Sequence, residues 1–180
     1  MEKILCNGIP KSGTHALVKT VQLLGVSNTR HGHYSLPEHT PEGVHLFVVR
    51  NPKDMMVSWC RMQKGECNTG FLIGSFKQYY NNKSIVEVFN DFAHWLTNDT
   101  VFTVCYEDLI SDGGLEIARI AEHLGIPMVR DAYANLPGMT FTWTDTPSHW
   151  EDYWNVQVQD AWVDAGGLEI ERVYGYAIGS

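Results

Sequence analysis

The chain has 180 residues, of which 44% are hydrophobic and 19% charged, and this composition predicts one folded domain over residues 1–180 rather than a disordered chain. No apolar run is long enough to span a membrane, no signal peptide is recognisable, and the scattered cysteines predict free thiols, so we expect a cytoplasmic protein. The formal net charge is −8, yet residues 1–65 hold eight Lys/Arg against four Asp/Glu. An anionic ligand is therefore expected in the first third, while the acidic remainder argues against nucleic acid as a partner.

The first predicted elements are a strand, a glycine-rich turn and a helix. Residues 4–6 form a short apolar run, and apolar residues recur at helical spacing from Ala16 onwards. The turn between them, G-I-P-K-S-G-T-H over residues 8–15, would aim backbone N–H groups and a helix dipole at one point, which is typical of a phosphate site. Its glycines have P-loop spacing, but Thr-His follows Gly13 where Lys-Ser or Lys-Thr is usual, and the lysine of the loop is Lys11. An anion is expected here, though not necessarily a nucleoside triphosphate with Mg²⁺.

A second strand and helix follow. Residues 44–49 are apolar enough for a central parallel strand. Asn51 is a predicted N-cap with proline at the first helical position, and Asp54 stands where the acid of a capping box belongs. The helix is predicted to run to about residue 64 and to end at Gly65.

The rest of the chain continues the alternation of helix and strand. Residues 66–82 predict a long loop, residues 85–96 a helix and residues 101–105 a third strand. Ser111 is predicted to cap a helix over residues 114–123, and the aromatic, acidic tail beyond it has weak periodicity. The pattern predicts an α/β fold with a central parallel sheet flanked by helices.

In such a sheet, ligands bind beyond the carboxyl ends of the strands. The three predicted strands end next to Lys11, Arg50 and Tyr106. The second strand of many nucleotide hydrolases ends in an Asp that holds Mg²⁺, whereas Arg50 favours a second anionic group. Ser58 lies two helical turns on, where its hydroxyl could support the guanidinium. The alternative is that Arg50 is a surface cation and Ser58 a solvated helix residue.

Three segments together resemble the sulfotransferases that use 3′-phosphoadenosine 5′-phosphosulfate (PAPS). Residues 10–14, P-K-S-G-T, look like the loop of that family for the 5′-phosphosulfate. Residues 50–58, R-N-P-K-D-M-M-V-S, look like its 3′-phosphate motif, and Y-E-D-L over residues 106–109 is similar to the segment beside the adenine. The resemblance covers roughly residues 4–127 and implies a three-layer, P-loop-like α/β fold.

The resemblance also implies a reaction. A sulfuryl group would move by in-line displacement from PAPS to a hydroxyl or amine of a small or neutral acceptor, releasing adenosine 3′,5′-bisphosphate (PAP) and requiring no metal. Lys11, the loop N–H groups and Thr14 would stabilise the charge that develops on the leaving oxygens. The implied nucleotide-binding residues are Lys11, Ser12, Gly13, Thr14 and His15 at the phosphosulfate, Arg50 and Ser58 at the 3′-phosphate, and Tyr106 near the adenine.

A histidine is the expected general base for the acceptor, because its pKa lies near neutrality. Many of these enzymes carry it between the two phosphate motifs, where this chain has T-R-H-G-H over residues 29–33. His33 is the first candidate and His31 the second. His15 is a third, because it replaces a threonine usual in the family. A His-x-His metal site is conceivable, but no cysteine or third histidine has suitable spacing.

One departure from the family keeps other functions open. The family typically has Arg-Lys-Gly shortly before a Trp-containing segment near the C-terminus. Residues 150–154 resemble that segment, but Thr-Trp-Thr-Asp occupies residues 142–145, and residues 131–171 contain no Lys or Arg. A non-catalytic sensor of 3′-phosphorylated adenine nucleotides is therefore the main alternative. A P-loop kinase is less favoured, because Lys11 and Arg50 occupy the wrong places for one.

The acceptor pocket is expected to have aromatic walls suited to a phenol, sterol, lipid or sugar face. Two or three members of a larger aromatic set are expected to line it. The set is Phe71, Phe76, Tyr79, Tyr80, Trp95, Trp143 and Trp154.

Overall fold

A four-stranded parallel sheet forms the centre of the fold. The computed structural model describes residues 3–36, 41–111, 114–128 and 149–176. The strand order is β2-β1-β3-β4, with β1 at Ile4–Gly8, β2 at Thr29–Gly32, β3 at Val44–Val49 and β4 at Val101–Cys105. The predicted α/β class and the three predicted strands are confirmed. The strand β2 was not predicted, because its sequence T-R-H-G has no apolar run and it pairs only with β1.

Helices cover both faces of the sheet within the described ranges. None of them is both long and apolar enough to cross a membrane. The α-helices are α1 (Thr14–Leu23), α2 (Pro52–Lys64), α3 (Thr69–Lys77), α4 (Ile85–Phe92), α5 (Tyr106–Ser111), α6 (Leu115–His123), α7 (Val156–Asp164) and α8 (Gly167–Val173). Two short 3₁₀ helices lie at Ala93–Thr97 and Trp150–Tyr153.

Two apolar cores account for the three layers. The strand β3 shows the division, since Phe47 packs among α2, α3, α4, α7 and α8, whereas Leu46 and Val48 pack among α1, α5 and α6. All three side chains are fully buried. A parallel strand with both faces covered has a mostly apolar sequence, which is why β3 was recognisable.

The start of α2 confirms one sequence prediction and corrects another. The Asn51 side chain accepts a hydrogen bond of 2.9 Å from the backbone N–H of Lys53, as an N-cap should. Asp54 does not close a capping box. Its Oδ1 accepts instead from the backbone N–H of Trp150 at 3.0 Å, while the Asn51 N–H donates to Glu107 at 2.8 Å. Tertiary partners have replaced the local one.

Two other local predictions are wrong, and the tail forms helices for which no prediction was made. The segment predicted as a loop over residues 66–82 contains α3, whose two glycines weaken the helical signal but whose Leu72 and Phe76 are buried. Ser111 ends α5 and caps no helix, and α6 instead begins after Gly114 with a φ of 102°. The tail forms α7 and α8, where the sequence showed only weak periodicity.

Candidate active site

A cavity of about 310 Å³ lies at the carboxyl ends of the strands. The residues after β1, β3 and β4 meet there, as the sequence predicted, since Lys11, Arg50 and Tyr106 all line it. The helix α2 contributes Ser58, which therefore faces the same cavity. The full lining is Pro10, Lys11, Gly13, Thr14, His15, Ala16, His33, Arg50, Ser58, Trp59, Met62, Tyr80 and Tyr106.

The loop between β1 and α1 has a backbone that only certain residues tolerate. Lys11 has a φ of 72° and Gly13 a φ of 109°, both in the left-handed region. A Cβ added to Gly13 would lie 2.3 Å from Cδ2 of Tyr106, so a glycine is required there. Gly13 is also the N-cap of α1 and offers no side-chain cap, which leaves the first helical N–H groups without a side-chain acceptor from this position.

Two cations, Lys11 and Arg50, line this cavity. Neither Lys11 nor Arg50 forms an ion pair with any residue in the described ranges. Burial, together with the nearby Arg50 guanidinium, lowers the pKa of Lys11 to about 8. The Lys11 Nζ donates a hydrogen bond to the Met62 sulfur at 3.8 Å. Two cations that lower each other's affinity for protons are favourable surroundings for an anion.

Arg50 contacts two other residues that line the cavity, Lys11 and Tyr106. One of its Nη atoms donates to the main-chain carbonyl of Lys11 at 3.3 Å, and its guanidinium carbon lies 4.5 Å from the centroid of the Tyr106 ring. The buried Tyr79 hydroxyl donates to the carbonyl of Pro10, the residue before Lys11. Two successive carbonyls of the loop are thus held by side chains from other elements.

Among the predicted nucleotide-binding residues, Ser12 alone does not line the cavity. It is 1% exposed, and its Oγ has no hydrogen-bond partner in the described residues. The hydroxyl lies beside Gly8, where an added Cβ would come within 2.4 Å of it. A buried hydroxyl without a partner is costly, so an acceptor supplied by a ligand would stabilise this loop.

The three candidate histidines are grouped but not equivalent. His33 lines the cavity, and its Nδ1 lies 2.7 Å from the carbonyl oxygen of Gly8. Because a carbonyl only accepts, Nδ1 carries the proton, and the neutral ring has its lone pair on Nε2. His15 also lines the cavity. His31 is exposed outside it, with its ring 4.7 Å from that of His15 and 6.2 Å from that of His33.

The surroundings of His33 favour its neutral form. Burial lowers the pKa of His33, the hydrogen bond to Gly8 opposes this, and the nearby His31, His15 and Lys11 lower it further. Burial followed by His31 and Lys11 likewise lowers the pKa of His15. Both rings are therefore neutral at pH 7, and each has one unprotonated nitrogen.

Metal ligands do not converge anywhere in the described ranges. No group of three or more His, Cys, Asp or Glu residues there could hold a metal ion. The four cysteines, Cys6, Cys60, Cys67 and Cys105, are free thiols.

The aromatic wall of the cavity differs from the prediction. Of the predicted set only Tyr80 lines the cavity. Phe76, Tyr79 and Trp95 are buried in the core, Phe71 and Trp154 pack against it, and Trp143 lies outside the described residues. The prediction missed Trp59, whose ring packs edge-on against Tyr79 and Tyr80 with centroids 4.9 and 6.3 Å away. Its position next to Ser58 on α2 was the available signal.

The segment without Lys or Arg, residues 131–171, includes side chains that pack against the ammonium group of Lys53 on α2. The Lys53 Nζ lies 2.9 Å from Glu171 and 4.3 and 5.5 Å from the ring centroids of Trp150 and Trp154. Lys53 is 6% exposed and is thus unavailable to the cavity. Residues 142–145, which stand where the family has Arg-Lys-Gly, lie outside the described ranges.

The protein has a P-loop-like α/β fold with a cavity that is lined by two cationic side chains, Lys11 and Arg50. A family model described as a sulfotransferase domain matches residues 33–136, more than half of the chain. The chain therefore belongs to the sulfotransferase family, and the family predicted from the sequence is confirmed. The matched residues do not include the loop over residues 8–15.

A solved structure shares the fold. It is that of the mouse sulfotransferase SULT7A1 complexed with PAP, with a TM-score of 0.71 and 16% sequence identity over 95% of this chain and 84% of that one. The predicted three-layer P-loop-like fold is confirmed. No curated protein matches the chain.

Proposed function

We propose that this sulfotransferase takes PAPS as its donor and transfers the sulfuryl group to a hydroxyl or amine of a small or neutral acceptor, with His33 as general base. One observation carries the proposal. Lys11 and Arg50, without ion-pair partners in the described residues, flank the same cavity that His33 lines. The similar mouse sulfotransferase is described as a complex with PAP, which supports the choice of nucleotide.

The residues present fit the donor. Lys11, Gly13 and Thr14 line the cavity, and Gly13 leaves no room for a side chain beside Tyr106. PAPS would supply the sulfuryl group. Lys11, Thr14 and the loop N–H groups would hold its phosphosulfate and stabilise the charge on the leaving oxygens, and such preorganised donors are worth about 3 kcal/mol each. Arg50 and Ser58 would hold the 3′-phosphate, with Tyr106 and His15 beside the nucleotide.

His33 would take the proton of the acceptor. The acceptor oxygen or nitrogen forms a bond to sulfur, the bond from sulfur to the phosphate oxygen breaks with its electron pair leaving on PAP, and the acceptor proton goes to Nε2 of His33. The hydrogen bond from Nδ1 to Gly8 reserves Nε2 for that proton. His31 is a weaker candidate, because it is exposed and does not line the cavity.

The cavity favours a small acceptor. Its outer wall is formed by Trp59, Met62 and Tyr80, and no Asp or Glu is among the described residues that line it. The same cavity of about 310 Å³ must also receive the donor nucleotide, because the residues assigned to both of its phosphate ends line it. The wall would therefore contact a compact acceptor with an apolar face.

A transfer assay with ³⁵S-labelled PAPS and a thermal-shift titration with PAP in EDTA test the proposal. We expect PAP to raise the melting temperature without Mg²⁺, and His33→Ala to transfer label at least about 100-fold more slowly while keeping its PAP shift. His123→Ala, an exposed ring stacked on Phe102, is the control that should retain transfer. An absent PAP shift would overturn the donor assignment.

The same assays separate the other candidate functions. A nucleotide sensor, favoured by the absence of Lys and Arg from residues 131–171, would show the PAP shift but no label transfer to any acceptor in a panel of phenols, sterols and sugars. A kinase would be stabilised by ATP only when Mg²⁺ is present.

A further inference from the structure

Asn7 is a polar residue inside a buried strand. All five residues of β1, I-L-C-N-G, are buried, and Asn7 is 2% exposed. A buried amide is costly unless both its N–H and its carbonyl are hydrogen-bonded. Its partner on β2 is Gly32, the last residue of that strand, and its partner on β3 is Phe47. Asn7 therefore stands where the β1–β2 ladder ends and the segment that carries His33 begins.

The Asn7 side chain forms hydrogen bonds with the backbone of Tyr34, two residues beyond the end of β2. Its Oδ1 accepts from the backbone N–H of Tyr34 at 2.9 Å, and its Nδ2 donates to the Tyr34 carbonyl at 2.9 Å. The indole N–H of Trp95, from the 3₁₀ helix at Ala93–Thr97, donates to the same carbonyl at 2.9 Å. Three hydrogen bonds from buried side chains thus fix the peptide groups on both sides of Tyr34.

Two neighbouring residues of β1 bind two neighbouring residues of the segment after β2. Asn7 holds Tyr34 through its side chain, and Gly8 accepts the Nδ1 proton of His33 through its carbonyl. We propose that Asn7, assisted by Trp95, is the positioning residue that keeps the His33 ring on Gly8, so that Nε2 remains the proton acceptor. This inference rests on the proposed role of His33 as the base.

The consequence of losing the Asn7 contacts is specific. Without them, the chain at Tyr34 moves relative to β1, and the bond from His33 to Gly8 is no longer enforced. The imidazole then samples the tautomer with the proton on Nε2, which cannot accept a proton from the acceptor. A displacement of about 1 Å at a catalytic group can lower a rate about 100-fold. The loop that carries Lys11 would be unaffected, so PAP binding should persist.

The test combines NMR of the histidine rings with kinetics. The ¹⁵N shifts of His33 report which ring nitrogen carries the proton, whether or not the enzyme turns over. For Asn7→Ala we expect a mixture of tautomers, a kcat lowered about tenfold or more, and a PAP Kd within about twofold of the wild type. Thr20→Val is the matched control. It also removes a buried side-chain hydrogen bond, to the Ala16 carbonyl, but touches neither His33 nor Tyr34.

A double-substitution cycle separates positioning from general stability. If Asn7 acts through His33, Asn7→Ala costs nothing further in kcat when His33→Ala is already present. An equal loss in both backgrounds, or a His33 ring that keeps Nδ1 protonated in Asn7→Ala, overturns the proposal. If Asn7→Ala does not fold, Asn7→Ser, whose side chain is too short to bond both the N–H and the carbonyl of Tyr34, replaces it, and an unchanged tautomer and kcat in that variant overturn the proposal equally.

The two proposals fail in different ways. If the wild type binds no PAP and transfers no label, the proposed function is wrong, yet the tautomer measurement on His33 still tests the role of Asn7. If the wild type transfers label as proposed but Asn7→Ala has the same kcat and the same His33 tautomer as the wild type, the positioning role alone is wrong.

Discussion

The guanidinium of Arg50 donates a hydrogen bond to the main-chain carbonyl of Lys11 at 3.3 Å. The bond links the end of β3 to the loop after β1, so the two cations at the cavity are coupled through the backbone as well as through their charges. Lys11 has a left-handed backbone, which is strained for a residue with a side chain. Arg50 thus helps to maintain the conformation that presents the loop N–H groups.

Replacing Arg50 should weaken PAP binding even when the charge is kept. Arg50→Lys retains a cation but loses the planar fork that spans the Lys11 carbonyl and the Tyr106 ring. We expect the PAP Kd, measured by isothermal titration calorimetry, to rise about tenfold for Arg50→Lys and about 100-fold for Arg50→Ala. Arg172→Ala, which removes an exposed ion pair with Glu169, is the control. An unchanged Kd in both Arg50 variants would contradict the assignment of the 3′-phosphate site.

PAP binding should depend on pH through Lys11. Burial and Arg50 lower the pKa of Lys11 to about 8 in the free protein, and bound phosphates would raise it again. The cation is therefore present before binding below pH 8, but above it a proton must be taken up on binding. We expect the Kd to be steady from pH 7 to 8 and to rise by up to about tenfold per pH unit beyond. Lys11→Arg should abolish this rise, and an equal rise in that variant would assign it to another group.

Tyr79 should stabilise both the fold and the loop. Burial raises the pKa of Tyr79, so its hydroxyl stays protonated and donates to the Pro10 carbonyl. Tyr79→Phe leaves that carbonyl without its donor, and we expect urea unfolding to show a loss of about 1–3 kcal/mol together with a higher PAP Kd.

Tyr174→Phe is the matched control for Tyr79→Phe. Its buried hydroxyl donates to the Phe89 carbonyl at 2.8 Å, away from the cavity, so it should lose similar stability and keep its PAP affinity. Equal PAP affinities in the two variants would show that the Pro10 bond serves folding only.

The parts of the site that the sequence predicted are those that depend on local geometry. Gly13 and Lys11 were recognisable because a strand, a glycine-rich turn and a helix follow one another within a few residues. The approach of Lys11, Arg50 and Tyr106 then followed from a general property of parallel sheets, in which strand ends share one edge. The capping of α2 by Asn51 was likewise local.

The parts that the sequence did not predict depend on tertiary partners. The strand β2 is polar and owes its pairing to β1, and α3 contains two glycines but is held by buried apolar residues. Trp59 lies on α2, and its ring reaches the cavity wall because α2 packs beside Tyr79 and Tyr80. The sequence alone gives no reason for a polar residue at Asn7, because its role depends on its hydrogen bonds to the backbone of Tyr34.

The ion pair between Lys53 and Glu171 gives the last prediction. Both residues are 6% exposed, and the pair joins α2 to α8, with Glu171 also accepting from the indole N–H of Trp162 at 2.8 Å. Although Lys53 lies within the segment that resembles a 3′-phosphate motif, its ammonium is enclosed by the tail. Lys53 should therefore matter for stability and not for nucleotide affinity.

Removing one partner of this pair leaves an uncompensated buried charge. We expect Glu171→Gln to lower the free energy of unfolding in urea by about 3 kcal/mol. The double variant Lys53→Met with Glu171→Gln should recover part of the loss, because Met keeps most of the apolar volume between Trp150 and Trp154 without the charge. The PAP Kd of the folded double variant should equal that of the wild type. A clear loss of PAP affinity would instead place the Lys53 ammonium at the nucleotide and require the tail to open on binding.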